Sequence, residues 1–316
     1  MTTRWTAADV PDQSGRTAVV TGASGGLGLE TARVLAGRGA DVILACRDMA
    51  RAEQAAGLIR AESGRTRVGI VRLDLASLAS VHEAADEIRS ACPQLELLIN
   101  NAGVMAVPTR QLSADGFELT FAVNHLGHFA LTGLLLDRLL ATPGSRIVTV
   151  SSIGHRMGPG TMQFDDLQFS RNYDPWHTYW QSKLANLLFT YELERRLAAA
   201  SAEPIALAAH PGNARTDLWR HTSPANRTTY RPGLSWLTFW FAQSALAGAL
   251  ATLRAATDPD AQGGEYYGPP GRLQYTGHPA LVGSSAASHD AAAQRRLWET
   301  SEELTEVRYG SLAGSR

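Results

Sequence analysis

The sequence predicts an α/β fold in a single domain, a doubly wound parallel sheet with helices on both faces. Three observations predict it. Short β-branched runs alternate six times with Ala/Leu/Glu/Arg-rich stretches, the runs read almost continuously apolar, and a glycine-rich turn separates the first run from the first helical stretch. Parallel neighbours need a crossover, and crossovers are usually helices. Strands covered on both faces lose the polar alternation of half-exposed ones.

The predicted strands are TAVVT (17–21), VILAC (42–46), RVGIVRL (67–73), LELLIN (95–100), RIVTVSS (146–152) and PIALAAH (204–210). Helical stretches fill the gaps. Breaks at 154–174 and 215–233 are rich in Gly, Pro, Asn or aromatics and are candidate loops flanking a site. Residues 233–253 carry no charge and are long enough for a bilayer, but Ser235, Thr238, Gln243, Ser244 and Thr252 dilute them. A substrate lid over about 215–243, leading into a buried helix capped at Gln243-Ser244, explains the same residues. No integral membrane span is therefore expected.

Composition narrows the function. A formal net charge of -1 with interspersed signs offers no basic stripe, so nucleic acid is not an expected partner. Cys46 and Cys92 lack the paired spacing of a zinc site and read as buried small hydrophobes in a reducing compartment. His125 and His128 stand three apart with no third ligand in the sequence, so no metal is expected. The first fifteen residues hold no continuous apolar core, which argues against a secretory signal and for a cytoplasmic protein.

After TAVVT comes TGASGGLGLETARVLAGRG, with Gly22, Gly26 and Gly28 between a strand and a helix. Glycines there permit a tight turn, let backbone N–H groups approach a pyrophosphate, and place it at a helix N-terminus. The same residues satisfy G-x-S-x-G, which would make Ser24 a hydrolase nucleophile. That elbow normally follows several strands and precedes its acid and histidine, whereas this one sits on the first strand, with His210 and Asp217 in the wrong order. An NAD-preferring site places an acid about twenty residues beyond the glycines, at the end of the second strand. Here Cys46 holds that place and Arg47 follows, offering a planar fork to a 2′-phosphate. NADP(H) is predicted, with NAD(H) kept open because Asp48 is one residue further on.

YWQSK puts Tyr179 and Lys183 at i and i+4, on one face of a helix. A phenol ionises near pH 10, so acid/base work near neutrality needs about 4 kcal/mol of preferential phenolate stabilisation. The Lys183 cation and the positive ring of an oxidised nicotinamide are the candidate sources. Ser152, ending the fifth strand, can donate a hydrogen bond to a substrate oxygen.

With these motifs in order, the chain resembles the short-chain dehydrogenase/reductase family, and within it the retinol-dehydrogenase-like branch. TGASGGLG, with Gly22, Ser24, Gly26, Leu27 and Gly28, resembles the cofactor loop. LDL, with Asp74 and Leu75, resembles the adenine contact, and INNAG, with Asn101, Ala102 and Gly103, the stretch beside the adenine ribose. FAVNHLGHF supplies Asn124, VTVSS supplies Ser152, YWQSK supplies Tyr179 and Lys183, and HPGNART supplies Pro211, Gly212 and Thr216 on the nicotinamide side. GGEYYGP and QRRLWETSEELT resemble the branch's late strand and last helix, so the likeness covers roughly 15–308. It implies a Rossmann-type sheet and a catalytic Asn124, Ser152, Tyr179 and Lys183. Tyr179 would move the proton, Lys183 would bind the nicotinamide ribose and lower the tyrosine's pKa, and Ser152 would orient the carbonyl. Asn124 would hold a water on the proton path, although such an asparagine can equally bond only to backbone.

Between Ser152 and Tyr179 lie 26 residues, more than in the family's shortest members. This segment either roofs the substrate site or covers the helix through which many relatives dimerise, so a homodimer is an open expectation. Trp176, Trp180, Trp219, Tyr230, Trp236, Phe239, Trp240 and Phe241 cluster near the expected site and suggest a lipophilic ketone, aldehyde or secondary alcohol, unless they simply pack in the core. A C=C reductase of a pigment-like substrate and an NADP-binding regulator without catalysis are the alternatives kept beside this reading.

Overall fold

The computed structural model describes residues 4–64, 66–214, 243–271 and 273–312. Its centre is one sheet of eight strands: β1 Thr17–Thr21, β2 Asp41–Cys46, β3 Val68–Arg72, β4 Leu97–Asn100, β5 Arg146–Val150, β6 Ile205–Ala209, β7 Tyr266–Gly268 and β8 Ala280–Leu281. Their order is β3-β2-β1-β4-β5-β6-β7-β8. Every pairing is parallel except β7 with β8. Reversal of strand order between β1 and β4 opens a crevice at the strands' carboxyl ends, where ligands of such sheets bind. The six predicted strands match β1 to β6 within one or two residues at most ends. β8, two residues long, carries no periodicity that a sequence reading could detect.

Strand alternation divides the core. Ala18 and Val20 of β1 and Leu97 and Ile99 of β4 face α1 (Gly26–Gly37), α2 (Met49–Ser63) and α6 (Ala245–Thr257). Val19 and Leu98 face the other layer, α3 (Leu78–Ala91), α4 (Gly127–Leu134), α5 (Pro175–Ala199) and α7 (Ala291–Thr305). β3 departs from the continuous apolar reading: it is the edge strand, and Gly69 and Arg72 are exposed.

α6 bears on the uncharged stretch 233–253. Ser244 caps it, its side chain accepting from Ala247 N–H, and Ala249 to Leu253 bury against β4 and β5. Among the described residues no helix is long and apolar enough to cross a membrane. The expected lid, 215–243, lies outside the described residues except for Gln243.

Candidate active site

The glycine turn forms where β1 passes into α1. Gly22 and Gly26 have φ of +67° and +57°, the left-handed region that glycine enters without a steric penalty. Gly28 is required by closeness, since a Cβ there would lie 2.6 Å from both Asn101 Nδ2 and the Gly22 carbonyl oxygen. Gly25, the N-cap of α1, offers no side chain to its first turn, which leaves those N–H groups to an anionic ligand. A cleft of about 370 Å³ surrounds the turn. Gly22, Ser24, Gly26, Leu27, Gly28, Arg47, Asp74, Leu75, Asn101, Ala102 and Gly103 all line it.

Asp48 also lines the cleft and caps α2, its Oδ1 accepting from Arg51 N–H at 3.1 Å. Arg47, just before the cap, and Arg51, in the first turn of α2, line the cleft as well. Arg51 escaped the sequence reading, though its spacing from Arg47 was a signal. Thr21 escaped as well. Its Oγ1 accepts from the N–H groups of Asn101 and Ala102, each at 2.9 Å, and so sets the end of β4 against the glycine turn.

Gly103 joins this cleft to the second group. A Cβ on it would meet Asn124 Oδ1 at 3.0 Å and Lys183 Nζ at 3.6 Å. Asn124 stands on a π-helical turn, Ala122–Leu126, ahead of α4; such turns often occur at functional sites. Its Oδ1 accepts from Val104 N–H at 2.8 Å, and its Nδ2 donates to the Val104 carbonyl at 3.0 Å and to Ser182 Oγ at 2.9 Å. Both amide protons and one lone pair of the oxygen are therefore engaged, and Ser182 is a partner the sequence reading missed.

Tyr179 and Lys183 lie on α5, which opens with Asp174 as N-cap and Pro175 in its first turn. Both side chains are buried, with Nζ 5.8 Å from the phenol ring centroid. Nζ donates to the Val150 carbonyl at 3.0 Å, at the end of β5. Ser152 follows two residues later, and its Oγ and Tyr179 Cε1 each lie 3.4 Å from where a Gly154 Cβ would stand, so its hydroxyl sits beside the phenol. Ser152 Oγ accepts from Gly154 N–H at 3.1 Å. Burial pushes the phenol's pKa up, with the neighbouring Ser152 hydroxyl opposing it, and pulls the Lys183 ammonium down to about 8. Without ligand, both shifts favour neutral side chains.

Met105, Ala106, Trp176 and Trp180 pack around Tyr179 as an apolar wall. Trp219, Tyr230, Trp236, Phe239, Trp240 and Phe241 lie outside the described residues, as does Thr216. Pro211 and Gly212 follow β6, and a Cβ on Gly248 would meet both Pro211 Cβ, at 3.2 Å, and Leu27 Cδ2 of the glycine turn, at 2.7 Å. Gly212 has φ of +62°, and a Cβ on it would strike the Tyr275 carbonyl. His128 bridges Asn124 and Thr21, its Nδ1 3.2 Å from the Asn124 carbonyl and Nε2 2.9 Å from Thr21 Oγ1. His125 reaches Ser301 Oγ at 2.8 Å. Burial draws these two to about 4 and about 3 respectively. His210, the histidine weighed beside Ser24, accepts from Gly212 N–H and packs on the Tyr266 ring instead.

A family model described as short chain dehydrogenase matches residues 16–164. Human retinol dehydrogenase 13 is 49% identical over 228 residues, 71% of this chain and 67% of its own length. Human retinol dehydrogenase 12 is 40% identical over 298 residues, 93% of this chain and 88% of its own. A solved structure of an uncharacterized protein from Mycobacterium paratuberculosis superposes with a TM-score of 0.79 at 44% identity, covering 97% of this chain and 99% of that one.

Proposed function

Because the chain belongs to the short-chain dehydrogenase/reductase family, and is thus an NAD(P)-dependent oxidoreductase acting on alcohols or carbonyls, we propose that it uses NADP(H) on a lipophilic ketone, aldehyde or secondary alcohol, with Tyr179 as general acid/base. The observation that carries this reading is the meeting of Ser152, Tyr179 and Lys183 beside Gly103, where the glycine cleft ends.

The residues present fit a dinucleotide. The α1 N-terminus and its glycines would hold the pyrophosphate, Asp74 and Leu75 the adenine, and Asn101 to Gly103 the adenine ribose. Arg47, joined by Arg51, would take the 2′-phosphate, while Asp48 gives one carboxylate oxygen to the cap of α2. Pro211, Gly212 and Thr216 would flank the nicotinamide, and Lys183 its ribose. When bound, the nicotinamide supplies or accepts the hydride. Tyr179 gives or takes the proton at the substrate oxygen, toward which Ser152 donates a hydrogen bond. Asn124 would hold a relay water on the proton path.

The apolar wall supports a lipophilic substrate, and NADPH in a cell usually favours reduction. We also place the enzyme in the cytoplasm, consistent with Cys46 and Cys92 as free thiols; fractionation tests that. The main test follows reduced-nicotinamide absorbance with NADPH or NADH and retinal, nonanal, acetophenone and glyceraldehyde. Expected are a preference for NADPH, turnover of the apolar carbonyls, and loss of turnover with retained NADPH binding in Tyr179→Phe. Preference for NADH, or turnover of glyceraldehyde alone, overturns the cofactor or substrate reading, and undiminished Tyr179→Phe overturns the general acid.

A further inference from the structure

We propose that His155 is a positioning residue for Ser152, fixing the serine's main chain so that its hydroxyl faces Tyr179; the inference rests on the role given to Ser152 above. His155 is buried on the 3-10 turn Ile153–Arg156 that follows Ser152. Its Nδ1 lies 2.6 Å from the Ser152 carbonyl oxygen, and Ser285 N–H reaches its Nε2 at 3.1 Å. A backbone N–H can only donate, so Nε2 is the acceptor and the ring proton sits on Nδ1. Nδ1–H therefore donates to the Ser152 carbonyl, which also accepts from the His155 N–H at 3.1 Å. One tautomer satisfies both ring nitrogens. The edge-on ring of Tyr266, 5.7 Å away at 82°, closes the side of the pocket.

The far end of this link returns to the catalytic helix. Ser284, next to Ser285, bonds Tyr191 of α5 at 2.9 Å, Ser288 at 2.7 Å and His289 at 2.8 Å, and the rings of Tyr191 and His289 stack 4.8 Å apart. Ser152 is thus tied through His155, Ser285, Ser284 and Tyr191 to the helix that carries Tyr179 and Lys183. Two groups that must meet one substrate oxygen are referenced to each other by hydrogen bonds and one peptide link that bypass residues 157–174 of the β5–α5 connection. Burial also draws the imidazole down to about 4, so the link stays in one protonation state at neutral pH.

The test compares His155→Asn, His155→Gln and Ser152→Ala, using NADPH and the fastest carbonyl of the panel above. An Asn amide can donate from near the Nδ1 position, whereas a Gln amide reaches toward Ser285. Removing a donor at the reacting oxygen costs on the order of 10²-fold in kcat, and this is expected for Ser152→Ala. His155→Gln is expected to lose roughly 10-fold in kcat through misplacement, with NADPH dissociation constant unchanged, and His155→Asn to recover most of it. Equal kcat in the two His155 variants, or a loss matched by loss of NADPH binding and of melting temperature, overturns the positioning role while leaving Ser152 in place. Undiminished turnover in Ser152→Ala overturns the reading of Ser152 itself.

Discussion

Acidification should unfold this protein through four histidines rather than through its carboxylates. His125 and His210 are held at about 3, and His128 and His155 at about 4, all by burial. In the unfolded chain each returns to about 6.5. Between those values the unfolded state binds a proton that the folded state refuses, so stability is full above about pH 6.5 and falls as pH drops. From about pH 7.5 to about pH 5.5 each histidine then costs about 1.3 kcal/mol, and the four together about 5 kcal/mol. That equals the low end of a domain's whole stability, roughly 5–15 kcal/mol. Glu118, whose pKa burial raises, offsets part of the loss with the opposite sign. Urea unfolding followed by tryptophan fluorescence at the two pH values measures the difference, with an unchanged m-value as the control. A stability change below about 2 kcal/mol would refute the reasoning. His125→Phe sharpens it, because His125 packs against Phe121, Phe129 and Phe189 and its removal should lower the uptake on unfolding by one proton.

Three further outcomes follow from the site. Arg47→Leu removes a charged contact worth about 1.5–3 kcal/mol, so the KM for NADPH should rise roughly 10- to 100-fold while that for NADH stays nearly constant; equal effects on both would contradict the 2′-phosphate role. Gly28→Ala places a Cβ 2.6 Å from the Gly22 carbonyl oxygen; calorimetry should show destabilisation of about 1–3 kcal/mol from overpacking, and fluorescence titration should show NADPH binding abolished. In cofactor-free protein, the ultraviolet phenolate signal should contain no component titrating below pH 9 that Tyr179→Phe deletes. Added NADP should move such a component downward, and one already titrating near neutrality without it would refute the account below.

What the sequence could convey was local. Gly22, Gly26 and Gly28 announced a strand–turn–helix because only glycine tolerates those dihedrals and that closeness. Tyr179 and Lys183 announced a shared face because helical spacing is fixed. Ser244 announced the start of α6 by capping chemistry alone. What stayed hidden depended on distant segments. Thr21 acquires its role only when β4 lies beside β1, and Ser182 only when the π turn brings Asn124 over α5. Asp48 looked like a rival ligand, and only the folded start of α2 shows that one of its carboxylate oxygens serves as a cap. Asn124 itself was visible as a candidate, but the commitment of its amide to Val104 is a tertiary fact.

The electrostatics of the Tyr179–Lys183 pair divide the labour between the two cations considered for phenolate stabilisation. Acid/base work near neutrality requires about 4 kcal/mol in favour of the phenolate, and burial of Tyr179 adds to that demand. A unit charge 5.8 Å from the centroid of the phenol ring supplies on the order of 3 kcal/mol to a negative charge spread over that ring at an effective dielectric of about 20. Lys183 cannot deliver even this at every pH, because burial draws it to about 8 and its charge disappears as pH rises through that value. Its proton is also shared with the Val150 carbonyl. Burial and a titrating Lys183 thus favour the protonated Tyr179, the form that would donate to a carbonyl oxygen in the proposed reduction. Taking a proton from an alcohol would call on a further positive charge, which an oxidised nicotinamide would bring. On the proposed reading, the site would hold its acid ready for reduction and gain its base when the oxidised cofactor binds.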